Sequence, residues 1–150
     1  MKIMFICTGN ICRSAMADAL LKKMVAENNK NVEVYSAGVS AYTGDEPTYN
    51  AIEAMKEYGI NLTNHRATHI ENSKIKEMDL ILCATLSHKR IVLQLYPSLE
   101  GKVFTLKEYV KLDREGQDMD IKDPWGYNLE TYKLSANEIY NCLIELMKKI

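Results

Sequence analysis

The sequence predicts an α/β fold, in which helices cover both faces of a parallel sheet of about four strands to give a three-layer sandwich. Two observations support this prediction. Short apolar segments typical of buried strands alternate with longer segments whose apolar residues recur at helical spacing. The chain has 150 residues, of which 47% are hydrophobic, which is enough to bury a sizeable core, so we expect residues 1–150 to form a single domain.

The first half of the chain begins with an apolar strand at residues 3–6. A helix at 15–28 follows and then a second strand at 32–38, which ends in a glycine turn. This order predicts two parallel strands joined by a right-handed crossover. A second helix is expected to hold Pro47 in its first turn and to stop at Gly59.

The second half of the chain continues the alternation. In order, we predict a short helix at 71–76, a strand at 78–84, a helix at 87–96 closed by Pro97, a strand at 103–106, a helical turn at 107–110 and a charged loop at 113–123. The last helix, 129–149, is predicted to bury an apolar stripe made of Leu134, Ile139, Leu143, Leu146 and Met147.

Composition excludes several classes of protein. The formal net charge of −1 gives no basic excess for binding nucleic acid. The first apolar run is too short for a signal peptide or a membrane span, so we expect a cytoplasmic protein with no membrane contact. The four cysteines are too sparse for a disulfide scaffold and form no C-x-x-C pair for zinc, so we expect reduced thiols and no metal or cofactor. Of these, Cys83 and Cys142 are expected in the core.

Residues 7–14 carry the chemistry, because they lead from the first strand through a glycine-containing loop into a helix. Such a loop points backbone N–H groups at one place and suits a phosphate. The same dipoles favour the thiolate form of Cys7, which is a nucleophile. Arg13 offers a planar fork of donors for two phosphoryl oxygens. A carboxyl group is also needed to protonate the leaving group, and Asp123 before Pro124 is the best candidate.

The run Cys7-Thr8-Gly9-Asn10-Ile11-Cys12-Arg13-Ser14, with Asp123-Pro124 far downstream, resembles the low-molecular-weight protein tyrosine phosphatase family. The resemblance extends to residues 36–38, 65–67, 79–84 and 123–126. It implies a flavodoxin-like strand order of 2-1-3-4. It also implies a bacterial enzyme that hydrolyses protein phosphotyrosine through a cysteinyl-phosphate and releases inorganic phosphate.

The resemblance assigns a role to each matching residue. It implies Cys7 as the nucleophile, Arg13 as the phosphate clamp and Asp123 as the general acid and then the general base. Ser14 would donate to the Cys7 sulfur, and Asn10 would hold a left-handed backbone conformation that asparagine tolerates.

Other residues are implied as supports. Ser36 and His65 match residues that hydrogen-bond to the loop, and Cys12 matches a second thiol that can trap oxidised Cys7 as a disulfide. Cys12 as a packed thiol and His65 as an ordinary loop residue stay open. Thr8, Gly9 and Ile11 complete the loop.

Substrate choice is predicted from the side chains that are expected to flank the phosphate-binding loop. Tyr42 and Trp125 are the expected aromatic walls, which would select an aryl phosphate. A second branch of the same family, the bacterial protein arginine phosphatases, is similar over residues 102–110 and the last helix. That branch has threonine at the position of Ile11, where a polar group can help to orient a water. Because Ile11 is apolar and branched, we favour phosphotyrosine and keep phosphoarginine as the alternative.

Two other functions are weighed as alternatives. Thiol-coupled arsenate reductases share this fold but need further cysteines in a mobile segment, and residues 84–96 supply no partner for Cys83. A phosphopeptide-binding module without catalysis is disfavoured because every catalytic group is present. The sequence leaves the choice between a monomer and a weak dimer open.

Overall fold

The computed structural model describes residues 1–110 and 118–150. Within these ranges four strands form one parallel sheet, and their order across the sheet is β2-β1-β3-β4. The predicted order 2-1-3-4 is therefore confirmed. The strands are β1 (Lys2–Cys7), β2 (Glu33–Gly38), β3 (Leu80–Cys83) and β4 (Val103–Thr105).

Helices cover both faces of this sheet, as predicted for a three-layer sandwich. Helices α1, α2, α4 and α5 pack over one face, and α3 packs over the other face together with three short 3-10 turns. The α-helices of the described ranges are α1 (Arg13–Glu27), α2 (Tyr49–Lys56), α3 (Leu86–Leu95), α4 (Leu106–Val110) and α5 (Leu129–Met147).

Strand β1 lies at the centre of both layers of the core. Ile3 and Phe5 point into the cluster formed with α1 and α5, whereas Met4 and Ile6 point into the cluster formed with α3. All four side chains are at most 2% exposed, which explains why the strand is continuously apolar rather than alternating. The carboxyl end of this strand places Cys7 at the middle of the sheet edge, where doubly wound folds bind ligands.

Helix α5 ends two residues earlier than predicted, and its predicted stripe is wrong at Leu134, which is 68% exposed. The buried face begins instead at Tyr132 and continues through Ala136 and Ile139, one helical turn apart. Leu134 lies between these positions on the solvent side. Within the described part of the chain, neither α5 nor any other helix is long and apolar enough to cross a membrane.

The second helix begins later than the sequence suggests. Thr48 is its N-cap and accepts a hydrogen bond from the backbone N–H of Ala51 at 3.3 Å, so Pro47 precedes the helix instead of occupying its first turn. A threonine hydroxyl can satisfy a free helix N–H, and proline cannot, which sets the boundary.

The predicted short helix at 71–76 is replaced by two 3-10 turns, Ile70–Asn72 and Ile75–Glu77. Ser73 separates them, because its Oγ donates to Ile70 O at 2.6 Å and accepts from Ile75 N at 3.3 Å. These side-chain bonds compete with a continuous helix. Of the predicted charged loop at 113–123, residues 113–117 lie outside the described residues, and residues 118–123 are irregular.

The turn from β3 into α3 anchors a distant part of the chain. Ala84 O accepts from Ile121 N at 2.8 Å, and Leu86 N donates to Asp120 Oδ1 at 2.8 Å. Residues 118–125, which we call the Asp123 segment, are thereby fixed at the carboxyl edge of the sheet. The same edge holds the end of β1 with Cys7.

His88, in the first turns of α3, is a buried polar residue that is 5% exposed. Its Nδ1 lies 2.7 Å from Thr85 Oγ1, and its Nε2 lies 2.8 Å from Thr8 Oγ1. Burial, and after it the positive charge of Arg13, lower the pKa of His88 to about 4. The imidazole is therefore neutral at pH 7.

The lowered pKa of His88 predicts a pH-dependent stability. The unfolded chain binds this proton with an ordinary pKa of 6.5, and the folded chain with a pKa of about 4. The free energy of unfolding should therefore fall as the pH drops from 6.5 to 4, by at most about 3 kcal/mol from this group. Urea unfolding at several pH values, with wild type beside His88→Gln, measures this contribution. An equally steep loss of stability in both proteins would contradict it.

Candidate active site

The loop between β1 and α1 forms the floor of a cavity of about 220 Å³ at the carboxyl edge of the sheet. The Asp123 segment closes one side of this cavity. Its described lining residues are Cys7, Thr8, Gly9, Ile11, Cys12, Arg13, Asp123 and Trp125. The structure therefore brings the predicted nucleophile, clamp and acid to one place.

Cys7 lies at the bottom of this cavity and is 2% exposed. Two hydrogen-bond donors reach its sulfur: the backbone N–H of Asn10, with N and Sγ 3.3 Å apart, and the hydroxyl of Ser14, with Oγ 2.8 Å from Sγ. Ser14 belongs to the first turn of α1. Both donors can stabilise negative charge on the sulfur.

Asn10 has a left-handed backbone, with φ of 57°, and lies at the centre of a hydrogen-bond network. Its Oδ1 accepts from Thr68 N at 2.9 Å, so its Nδ2 faces Ser14 Oγ at 2.8 Å and donates to it. The oxygen of Ser14 is thereby occupied as an acceptor, and its own proton remains available for the Cys7 sulfur. His65 Nε2 lies 2.7 Å from the carbonyl oxygen of Asn10, which makes this nitrogen the donor.

Ser36 has a different partner from the one that the resemblance implies. Its Oγ donates to Asp18 Oδ2 at 2.7 Å instead of supporting Asn10. Asp18 is a carboxylate in α1 that is 6% exposed, and Lys22 Nζ lies 2.9 Å from its other oxygen. A buried carboxylate needs such partners, so Ser36 ties β2 to α1.

Gly38, at the end of β2, packs directly against the loop. A Cβ built on Gly38 would collide with Thr8 O and lie 2.9 Å from Asn10 N. The backbone N–H groups that follow this glycine bond to the loop, Val39 N to Cys7 O and Ser40 N to Thr8 O, both at 2.9 Å. Only glycine leaves room for this close approach.

Arg13 joins the loop to the Asp123 segment. Its side chain is buried, its Nη1 donates to Ile121 O at 3.0 Å, and its Nη2 lies 3.5 Å from Asp123 Oδ2. The guanidinium plane is thus fixed at the side of the cavity, where its donors can hold the oxygens of a tetrahedral anion.

The carboxyl of Asp123 is 53% exposed at the mouth of the cavity. Its Oδ1 accepts from Trp125 N at 3.1 Å, which forms a short turn around the buried Pro124. A carboxyl that is open to solvent and held beside the cavity can give a proton to a leaving group and take one from water.

The second thiol of the loop, Cys12, points away from solvent. Its Sγ lies 3.3 Å from Tyr132 Oη and 3.6 Å from Thr48 Oγ1. Burial is the main cause that raises the pKa of Cys12, so this thiol is neutral at pH 7. Burial also raises the pKa of the two core cysteines, that of Cys142 to about 11 and that of Cys83 further.

Of the two predicted aromatic walls, the structure places one at the cavity. Trp125 lines the cavity and is 64% exposed. Tyr42 is 77% exposed and is not among the described residues of the lining. Its wall role therefore lacks support in the geometry. Ile11 stands on the loop and covers part of the lining with apolar surface.

Sequence reasoning missed one residue of this site, His88, which bonds to Thr8 although the two are separated by 80 positions. The only local sign was Thr85, a helix cap three residues earlier whose Oγ1 also accepts from His88 N. Nothing in the sequence connects that turn to the loop.

The chain is similar to known proteins over its whole length. The family profile of the low molecular weight phosphotyrosine protein phosphatases matches residues 2–150. A protein-arginine-phosphatase of Bacillus subtilis is 39% identical over 150 residues, which is 100% of this chain and 97% of that protein. A probable low molecular weight protein-tyrosine-phosphatase EpsP of Ralstonia solanacearum is 37% identical over 131 residues, which is 87% of this chain and 83% of that protein.

Among solved structures, a low molecular weight protein tyrosine phosphatase from T. tengcongensis superposes with a TM-score of 0.92 at 38% identity, covering 100% of this chain and 99% of that one. The profile match extends over the strands, the loop and the Asp123 segment alike. The chain therefore belongs to the low molecular weight phosphotyrosine protein phosphatase family.

Proposed function

We propose that this protein is a phosphatase that hydrolyses phosphotyrosine in proteins through a cysteinyl-phosphate intermediate. One observation carries the proposal: a hydrogen-bonded cysteine sulfur lies at the bottom of a cavity whose side holds an arginine and whose mouth holds a carboxylate. Nucleophile, anion clamp and proton donor are the groups that phosphate ester cleavage by a thiol requires.

In the first step, the Cys7 thiolate attacks phosphorus, an S–P bond forms and the bond from phosphorus to the tyrosine oxygen breaks. Arg13 and the backbone N–H groups of the loop hold the equatorial oxygens, whose charge is redistributed in the transition state. The carboxyl of Asp123 gives its proton to the leaving oxygen, so that tyrosine departs as a neutral phenol.

In the second step, water replaces the cysteine. Asp123, now a carboxylate, takes a proton from the water as it attacks phosphorus, the S–P bond breaks and inorganic phosphate is released. The sulfur leaves as a thiolate, and Ser14, held by Asn10, donates its proton toward that sulfur. This bond lowers the energy of the departing group.

The preference for an aryl ester rests on the side chains around the cavity. Trp125 offers an aromatic face, and Ile11 narrows the floor without adding a polar group. A flat ring gains contact area between such groups. The small side chain of phosphoserine leaves phosphorus farther from the sulfur.

Phosphoarginine is the second candidate substrate. The observation that favours it is the 39% identity with a protein-arginine-phosphatase over the whole chain. The cavity, the clamp and the acid would serve a phosphorus–nitrogen bond in the same way, with the proton of Asp123 going to the guanidino nitrogen.

A cytoplasmic location is part of the proposal, because the mechanism needs a reduced nucleophile. The described cysteines, Cys7, Cys12, Cys83 and Cys142, are free thiols. Reducing compartments maintain such thiols.

Cys7→Ser should lower turnover of 4-nitrophenyl phosphate at least about a thousandfold, because serine is not ionised at pH 7 and does not attack. Phosphate binding should persist, since the N–H groups and Arg13 remain. Steady-state release of nitrophenol and calorimetric titration with phosphate measure the two properties. Cys142→Ala, in the core away from the cavity, serves as the control and should keep its activity. The proposal would be overturned if Cys7→Ser released nitrophenol at the wild-type rate. It would also be overturned if the wild type released nitrophenol as slowly as Cys7→Ser.

Asp123→Asn should lower kcat/KM for a phosphotyrosine peptide by about a hundredfold or more. The loss on 4-nitrophenyl phosphate should be much smaller, because nitrophenolate leaves without a proton. Asp118→Asn, which changes a neighbouring exposed carboxylate outside the cavity lining, is the matched control and should stay within about twofold of wild type. Equal losses on both substrates would show that Asp123 is not the acid.

Ile11→Thr should shift the ratio of kcat/KM for phosphoarginine over phosphotyrosine peptides upward by about tenfold, because a hydroxyl replaces the apolar branch at the floor. Ile11→Val removes one methylene and adds no polar atom, so its ratio should remain near that of wild type. Parallel rate measurements on the two peptides give the ratios. A wild type that already prefers phosphoarginine would establish the second candidate in place of the first.

A further inference from the structure

Thr8 differs from the rest of the loop because its side chain is exposed at the cavity yet tied to a buried partner. The residue lines the cavity, and its Oγ1 lies 2.8 Å from His88 Nε2. His88 belongs to α3 on the opposite layer of the sandwich and is 5% exposed. A surface hydroxyl normally rotates freely, so this contact fixes a group that would otherwise be mobile.

The proton positions along this chain of contacts can be assigned from the partners. Thr85 Oγ1 accepts from His88 N at 3.2 Å, and within the described residues the hydroxyl proton of Thr85 has one available acceptor, His88 Nδ1 at 2.7 Å. Nδ1 is then an acceptor, and the proton of the neutral imidazole lies on Nε2. Nε2–H donates to Thr8 Oγ1, which leaves the hydroxyl proton of Thr8 unused.

The neutral state of His88 makes this direction possible. A protonated ring would carry hydrogen on both nitrogens and could not accept from Thr85. Burial and the charge of Arg13 keep the pKa of His88 at about 4, although Asp120 and Asp123 act in the opposite direction. The ring is therefore neutral throughout the pH range around 7.

We propose that His88 holds the Thr8 hydroxyl as an additional hydrogen-bond donor for an oxygen of the phosphoryl group in the cavity. His88 is in this view a positioning residue and Thr8 is the group that binds the tetrahedral anion. The inference rests on the proposed function, since it adds a side-chain donor to the backbone N–H groups and Arg13. It also connects α3, which carries no residue of the cavity lining, to recognition of the anion.

Inorganic phosphate is the probe, and calorimetric titration at pH 7 gives its Kd. Thr8→Val, which removes the hydroxyl and keeps the shape, should weaken binding about three- to tenfold. His88→Leu should weaken binding by a similar factor, and the double variant should be no more than about twofold weaker than His88→Leu alone. Thr8→Ser and His88→Gln, which retain a hydroxyl and an N–H donor, should recover most of the affinity.

A second measurement does not depend on variants. Long-range proton–nitrogen correlation spectra of the wild type identify which ring nitrogen of His88 carries hydrogen, and we expect Nε2. A proton on Nδ1 instead of Nε2 overturns the inference, and so does an unchanged Kd in Thr8→Val. The inference is also overturned if the loss of affinity in the double variant equals the product of the two single-variant losses. These results would leave the proposed function intact. A folded wild type that does not bind phosphate overturns the proposed function and the inference together.

Discussion

The left-handed backbone of Asn10 is the constraint on which the cavity depends. With φ of 57°, this residue turns the chain so that its own N–H points back at the Cys7 sulfur. Such a conformation costs on the order of 1–2 kcal/mol outside glycine. Three hydrogen bonds, to Ser14, His65 and Thr68, offset that cost and bind the turn to the start of α1 and to residues 65–68. The sulfur is surrounded by donors because this turn is held.

The Asp123 segment is held at the cavity by a different set of contacts. Its backbone bonds to the turn between β3 and α3, and Arg13 bridges its carbonyl at Ile121 and its carboxylate at Asp123. The same α3 turn contacts the loop through His88 and Thr8. The start of α3 therefore contacts both the loop that holds Cys7 and the Asp123 segment. The Asp123 carboxyl, which is 53% exposed, is held by Arg13 and by the backbone N–H of Trp125.

The strand order was implied by the resemblance to a known family. From strand ends and helix periodicity, which are local properties, the sequence predicted most of the strands and helices and the grouping of Cys7 with Arg13, and it offered Asp123 as the acid. It could not predict partners that depend on tertiary packing. Ser36 donates to Asp18 because the buried carboxylate in α1 needs a hydrogen-bond donor. The sequence does not show that Asp18 is buried. Leu134 is apolar but out of phase with the buried face of its helix. His88 contacts Thr8 only because the crossover from β3 to β4 places α3 beside the loop.

The residues around the cavity form two groups: those whose side chains are fixed by hydrogen bonds, and those whose side chains line the open part of the cavity. Asn10 and Ser14 are fixed by hydrogen bonds and place their own donors against the Cys7 sulfur. Ile11 and Trp125 line the open part of the cavity and contact whatever enters it. Identity to a relative is averaged over the whole chain, so the 39% shared with an arginine phosphatase does not by itself report on the few side chains that line the cavity. The proposed preference for phosphotyrosine rests on those side chains, above all on the apolar Ile11.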